Sequence, residues 1–376
     1  MRTAANILLL LLGIAAHSLA QDVYLAPARS GAERLIRLAA PEPASGIRLE
    51  GWASLTGDNN VLPLSRGDDR RLPPLRHGAS NAYFAGSKQG RLGLSVGAWS
   101  LTYSSDRADL YKGNRDAAQL YLDSKSGAFD PTALGAPVAS MSRSAAARWR
   151  VGYLAPVRSG TARFVVDVGA SFLRTQRVQF GRLEGATAGD SFTGDLIIES
   201  TRPFERPANR GNGFSVDFGA TIRLGAGATA GIWVDNLIGF VDVGHLQVIQ
   251  STVKTNQVQT DPDGFLTNAP VLSGSVTERS AHLALRRRVD AAAAFSTRGP
   301  TWALLYRGDY ATWLGAAGIW RLPGGRWWFA LWSRPGQWEA GVDWRGWTAQ
   351  IGFASANPES AKEAVISLGF RQALGR

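Results

Sequence analysis

Between Ser215 and Leu224 apolar and polar residues alternate without a break. Val216, Phe218, Ala220, Ile222 and Leu224 are interleaved with Ser215, Asp217, Gly219, Thr221 and Arg223. Successive side chains of an extended strand point to opposite faces, so one face here is apolar and the other carries charge. The pattern recurs at Leu92–Ala98, Trp149–Tyr153, Phe164–Phe172, Trp338–Trp344, Trp347–Phe353 and Ile366–Phe370. A soluble sandwich would bury such an apolar face against a second sheet. A membrane barrel would turn it to lipid and keep the charged face in the lumen.

Glycine recurs on the polar face. It weakens a sandwich strand, but suits a barrel wall that curves or is approached from inside. The charged residues that share this face, Arg163, Asp167, Asp217, Arg223, Glu339 and Asp343, are the candidate lumen-facing set. Residues 301–354 read as a meander cut by Arg307-Gly308-Asp309, Pro323-Gly324-Gly325, Arg334-Pro335-Gly336 and Arg345-Gly346. Trp302, Trp313, Trp320, Trp327, Trp328, Trp332, Trp338, Trp344 and Trp347 crowd this stretch. Aromatics near strand ends form a girdle at the membrane interface, and Trp320, Trp327, Trp338, Trp344 and Trp347 are the candidates for it. A stacking surface for sugar is the rival reading.

The expected fold is all-β: a single transmembrane antiparallel barrel of about 14 strands, within a range of roughly 12–16, with long polar loops. Three segments look outside the wall. Residues 22–80 hold one strand near Ile47–Leu55, residues 106–147 include a short helix over Arg107–Leu122, and residues 251–275 are polar. The domain reading is a signal peptide at 1–20, an N-terminal plug or periplasmic part at 21–80, and the barrel at 81–376.

The start of the chain supports export. Arg2 precedes an apolar run from Ile7 to Ala16, and Ser18 and Ala20 suit cleavage before Gln21. That run is too short to cross a bilayer, and no later apolar run approaches the length a membrane helix needs. Absence of cysteine removes disulfides and thiol chemistry. The net charge of +11 is almost all arginine. It points to anionic partners such as lipid A phosphates or anionic solutes, or to an arginine-lined lumen. No basic run exceeds Arg286-Arg287-Arg288, so a nucleic-acid partner is not expected.

Motifs with catalytic associations are few. Gly93-Leu94-Ser95-Val96-Gly97 spells G-x-S-x-G, but inside an alternating strand rather than a strand-to-helix elbow. Ser280 and His282 share a strand face with Glu278, the arrangement from which a lipid ester hydrolase is conceivable. Gly225–Ala230 reads as a hairpin turn rather than a dinucleotide loop, and Asp261-Pro262-Asp263-Gly264 as a turn rather than a Ca²⁺ loop. His77, His245 and His282 lack metal-ligand spacing, so no metal, cofactor or catalytic set is assigned.

Gly213-Phe214-Ser215-Val216-Asp217-Phe218-Gly219-Ala220, followed by Gly231-Ile232-Trp233-Val234-Asp235-Asn236-Leu237-Ile238-Gly239, resembles a hairpin of FadL-like outer-membrane barrels, including the TraF/PorV-type group. Val365–Arg371 is similar to their closing strand. The resemblance spans about 40 residues and implies an outer-membrane barrel of about 14 strands. One branch of that group forms a fatty-acid or hydrocarbon channel; another serves secretion. The functional expectation is a non-enzymatic channel or docking platform in the outer membrane. Its partners would be outer-membrane lipid, a hydrophobic or anionic small molecule, or a secretion-system protein. A lipid ester hydrolase using Ser280 and His282, and a secreted sugar-binding sandwich, are the alternatives.

Overall fold

The computed structural model describes residues 23–24, 46–59, 82–119, 135–159, 162–188, 191–201, 210–224, 227–260, 266–296, 299–309, 312–333, 337–355 and 363–374. The expected signal peptide, His77 and Asp261–Gly264 lie outside them. Among the described residues no helix is long and apolar enough to cross a membrane.

The first half of the chain supplies β1 (Ile47–Asn59), β2 (Ala82–Val96), β3 (Trp99–Gly113), β4 (Val138–Ser159), β5 (Ala162–Ala188), β6 (Ser191–Ser200), β7 (Gly211–Leu224) and β8 (Ala228–Thr260). The second half supplies β9 (Leu266–Ala284), β10 (Arg288–Ser296), β11 (Thr301–Gly308), β12 (Thr312–Leu322), β13 (Gly325–Trp332), β14 (Trp338–Trp344), β15 (Trp347–Phe353) and β16 (Glu363–Leu374). All named pairings are antiparallel. β1 pairs with both β2 and β16, and β8 pairs with both β7 and β10, which closes the wall. The result is a closed antiparallel barrel of 14 strands. β6 and β7 occupy one wall position, because both run along β5. β9 and β10 likewise share a position along β8.

Burial decides between the two architectures. Leu304, Leu314, Leu331 and Leu368 point outward and remain 55–63% exposed, whereas Arg148, Asp106 and Glu339 point inward and are 2% exposed. The apolar faces are not sandwiched against a second sheet, so the soluble-sandwich alternative is overturned. An apolar exterior around a polar lumen is the pattern of an outer-membrane barrel.

The wall begins at Ile47, not at residue 81. β3 continues to Gly113 and β4 starts at Val138, so the expected helix over Arg107–Leu122 shrinks to one turn at 115–119. Residues 251–275 are not a loop either: β8 and β9 extend through most of them as a hairpin. The hairpin links at 97–98, 225–227, 323–324 and 345–346 are short and share one end with Ile47 and Leu374. Short turns and both ends of the wall mark the periplasmic side. The opposite rim is slanted. β13 to β15 are 7–8 residues long, while β4, β5 and β8 run 22–33 residues and stand high above them.

Candidate functional site

The lumen is layered. At the periplasmic mouth the inward positions are Arg48 and Glu50 of β1, Arg163 of β5, Arg223 of β7, Arg321 of β12, Arg326 of β13, Asp343 of β14 and Arg371 of β16. Arg163 stands directly opposite Arg223 and Arg321 opposite Arg326, so like charges meet across strands. Carboxylates stand among them: Arg326 faces Asp343, and Arg371 Nε lies 4.0 Å from Glu50 Oε2. Three members of the expected lumen set, Arg163, Arg223 and Asp343, therefore gather at this mouth.

One step further in, the lumen becomes apolar. Trp52, Trp233, Trp328, Leu305, Ile319 and several alanines form one buried cluster, with Trp332 packed against it. The rings lie flat because glycines on neighbouring strands leave room. A Cβ on Gly341 would sit 2.6 Å from Trp328 Cε2, one on Gly219 2.7 Å from Trp233 Cδ1, and one on Gly315 2.8 Å from Trp332 Cε3. Trp52 covers Gly369 in the same way. Among the described residues the indole N–H groups of Trp52, Trp328 and Trp332 are buried without an acceptor. The meander's tryptophans thus divide by strand parity. Trp320, Trp327, Trp344 and Trp347 face outward at the periplasmic end, with Trp320 and Trp327 stacked at 4.1 Å. Trp338 faces outward at the other end of β14, its Nε1 donating to Ser355 O at 3.2 Å. Trp313, Trp328 and Trp332 face inward, which the crowding of tryptophan alone did not separate from the girdle.

Above the indoles lies a belt of ion pairs. Glu339 Oε2 accepts from Gln350 Nε2 at 2.9 Å, and Gln350 Oε1 accepts from Ser367 Oγ at 3.1 Å. Arg307 joins this chain to Asp290, lying 3.5 Å from Glu339 and 3.6 Å from Asp290. Asp167 and Asp217 are held by Arg150, at 3.3 and 3.0 Å. The Arg150 guanidinium spreads over Gly169 and Gly152, whose missing side chains make its space. On the same wall, Arg148 of β4 meets Asp106 of the adjacent β3 at 3.5 Å, and Gln89 Nε2 donates to Asp106 at 3.0 Å. Arg148 and Arg150 were visible in the alternation as polar-face residues, yet the pairing of Arg150 with two strands was not.

A fourth feature lies within residues 21–80, the stretch whose sequence suggested a plug or periplasmic part. Val23 enters the lumen and forms a parallel bridge with Leu285 at the break between β9 and β10. Its N–H donates to Ala284 O at 2.8 Å, and Arg286 N–H donates to Val23 O at 3.0 Å. Val23 is fully buried against Leu173, Val241, Val243, Leu246 and Leu283. Tyr24 Oη donates to Asp309 Oδ2 at 3.3 Å, and Ser144 Oγ donates to Tyr24 O. Arg286 and Arg288 flank Asp309 at 3.6 and 3.9 Å. The strand break has its counterpart in β8, where Asn236 adopts φ 53°. Asparagine tolerates this left-handed conformation. Its backbone N–H donates to Asp217 Oδ1 at 2.9 Å, and its Nδ2 donates to Arg286 O at 3.0 Å.

Ser280, His282 and Glu278 face outward near the top of the barrel and are exposed. His282 Nδ1 lies 2.5 Å from Asp242 Oδ1, and Glu278 lies 3.8 Å from His245. Among the described residues Ser280 makes no hydrogen bond to His282. No group of three or more metal-ligating side chains occurs among the described residues. Gly93–Val96 lies within β2 with Gly97 in the following turn, so no nucleophile elbow forms.

No family model and no curated protein matches the chain. Solved structures that it resembles include the toluene transporter TodX of P. putida, with 11% identity, a TM-score of 0.45, and coverage of 95% of this chain and 96% of that one. The monoaromatic hydrocarbon channel CymD shows 9% identity, a TM-score of 0.28 and 94% coverage of each chain. The translocator domain of autotransporter NalP from Neisseria meningitidis shows 8% identity, a TM-score of 0.33, and 91% and 94% coverage. These likenesses concern the barrel architecture alone.

Proposed function

We propose that the barrel is a gated passage for small amphiphilic anions, solutes with an apolar body and one acidic group. The observation that carries this reading is the tryptophan layer directly inside an arginine-rich mouth. A layer serving only stability would favour aliphatic side chains, whose burial leaves no donor unpaired. Three buried indole N–H groups have no acceptor in the closed layer and become donors to a guest when the rings part to admit it. Apolar walls with a few convergent polar groups are the usual make-up of small-molecule sites. The Arg48, Arg163, Arg223, Arg321, Arg326 and Arg371 guanidiniums concentrate anions at the entrance. Val23 and Tyr24 occupy part of the lumen above, and in this reading passage is eased when they leave their place against Leu285.

Reconstituted into liposomes, the protein should pass benzoate faster than the benzylammonium cation of similar size. A chain exported without residues 23–24 should pass both faster while keeping the preference. Equal rates for the two ions, or no passage even in the shortened form, would refute the proposal.

A further inference from the structure

The outward face of β2 to β5 carries a row of basic residues above an apolar stretch of wall. Lys88 of β2 stands directly opposite Arg107 of β3, and Arg107 opposite Ala145 of β4, which in turn stands opposite Arg177 of β5. Arg143 lies one step above this row. These four basic residues line an outer hollow of about 700 Å³, together with Leu55 and a single outward carboxylate, Asp109. Asp109 lies 2.8 Å from Arg143 and 3.8 Å from Arg107; Arg177 Nη2 donates to Gln179 Oε1. Lys88 and Arg107 remain exposed. Asp106 also lines the hollow but is turned inward and paired with Arg148, so on the outer face four cations stand against Asp109 and the hollow is positive.

Its height matters. Directly below the row lies a tier of Gly90, Ser105, Ala147 and the exposed Arg174, and beneath that tier the outward residues Leu92, Leu94, Val96, Leu101, Tyr103, Trp149, Val151 and Phe172 form an apolar surface. Tyr103, Trp149 and Phe172 pack ring to ring along its upper part, at 5.3 and 6.0 Å. The Lys88–Arg107 pair stands about 26 Å along the strands from the Val96–Trp99 pair at the periplasmic end, and about 20 Å in height at the usual strand tilt. That is about 5 Å below the upper edge of an apolar band about 25 Å tall, a distance that long basic side chains cover by extending to the outer headgroups. A basic residue is costly at the bilayer midplane and nearly free at the interface, so a row of them on the lipid side marks that interface and calls for anions there.

We infer that Lys88, Arg107, Arg143 and Arg177 form a docking site for the phosphorylated headgroup of an outer-leaflet glycolipid, with the acyl chains lying on the Tyr103–Trp149–Phe172 surface beneath. Arginine pairs with phosphate oxygens through parallel N–H donors. The apolar surface and the basic hollow together suit a lipid rather than a soluble anion, which would use the hollow alone.

The full chain, purified in zwitterionic detergent and stripped of lipid, would be titrated with diphosphoryl lipid A in mixed micelles and read by native mass spectrometry. A stoichiometric adduct is expected, and its affinity should fall by about tenfold or more in Lys88→Gln/Arg107→Gln/Arg177→Gln. Lipid A stripped of phosphate should not bind, and millimolar inorganic phosphate should not displace the intact lipid. The heat-modifiable gel shift verifies folding of each variant, and the exposed single change Arg107→Gln, expected to weaken binding several-fold, serves if the triple variant fails to fold. Unchanged affinity in the folded variant, binding of the dephosphorylated lipid, or full displacement by inorganic phosphate would each overturn the inference. None of these outcomes depends on solute passage.

Discussion

Gly341→Ala tests whether the indole layer is seated on glycine by necessity. The added methyl would lie 2.6 Å from Trp328 Cε2 and Cζ2 and 2.7 Å from Nε1. These are ring atoms of a rigid side chain that is 1% exposed, so the ring has nowhere to turn. Overpacking of this kind costs about 1–3 kcal/mol, whereas replacing a strand glycine by alanine ordinarily returns about 0.5–1 kcal/mol. The cost wins, and a net loss of about 0.5–2 kcal/mol is expected. Equilibrium urea unfolding in lipid vesicles, followed by the heat-modifiable band, measures it. Trp328→Leu removes the obstructing ring atoms, so the double variant should recover most of what Gly341→Ala loses beyond the Trp328→Leu change alone. The coupling is readable because the two residues touch. If Gly341→Ala is neutral or stabilising, or if its effect is the same with and without Trp328, the glycine is not there to hold the ring.

Arg150→Met should destabilise the barrel by about 3–5 kcal/mol, because it strands Asp167 and Asp217 in the lumen without their shared cation; urea unfolding would show it, and an additional Asp217→Asn should restore part of the loss. Burial pushes the carboxyl of Asp309, in the β11–β12 link, above its ordinary value against the pull of Arg288 and Arg286. The protonated form is therefore favoured in the folded state: its stabilisation is complete below an ordinary carboxylate value of about 4 and is lost as pH rises through the raised value. Thermal unfolding against pH should show that decline in the native chain and a flatter profile in Asp309→Asn.

The wall was legible wherever lipid bounds it. Alternation at Leu92–Ala98, Ser215–Leu224 and Trp338–Trp344 is strong because one face must be apolar and the other meets a charged lumen. Above the bilayer that constraint ends. Asp106, Arg107, Ala108 and Asp109 carry charge on both faces, Asp106 inward and Arg107 and Asp109 outward, so the upper part of β3 reads as a loop although its ladder is continuous. The upper halves of β8 and β9 are hidden for the same reason. β1 was legible as a strand near Ile47–Leu55 but not as part of the wall: its inward face carries Trp52, seated on Gly369, and its outward face carries Gly51 under the Phe370 ring, which inverts the pattern for one pair of residues. β13–β15, at 7–8 residues shorter than the usual membrane strand, belong to the low side of a slanted rim. The Asn236 motif behind the family resemblance marks a bulge in β8, a distortion that periodicity does not encode. Nothing in the composition of Val23 and Tyr24 foretold their place, since a two-residue bridge draws its identity from the wall it meets.

The lumen ion pairs also relocate the basic excess. Arg148, Arg150 and Arg307 each face at least one buried carboxylate, so the middle of the barrel is close to neutral and its charges serve mainly to hold strands together. A removed partner there leaves an uncompensated buried charge, and the consequence falls on folding before it falls on selectivity. The other clusters of arginine lie where water reaches: at the periplasmic mouth, beside Glu50 and Asp343, and on the outer hollow, beside Asp109. These two places can attract an anion without dismantling the barrel, one as the entrance to a path and the other as an anchor in the leaflet. Selection by sign is thus a property of the mouth, and selection by shape and apolarity belongs to the four indoles just inside it.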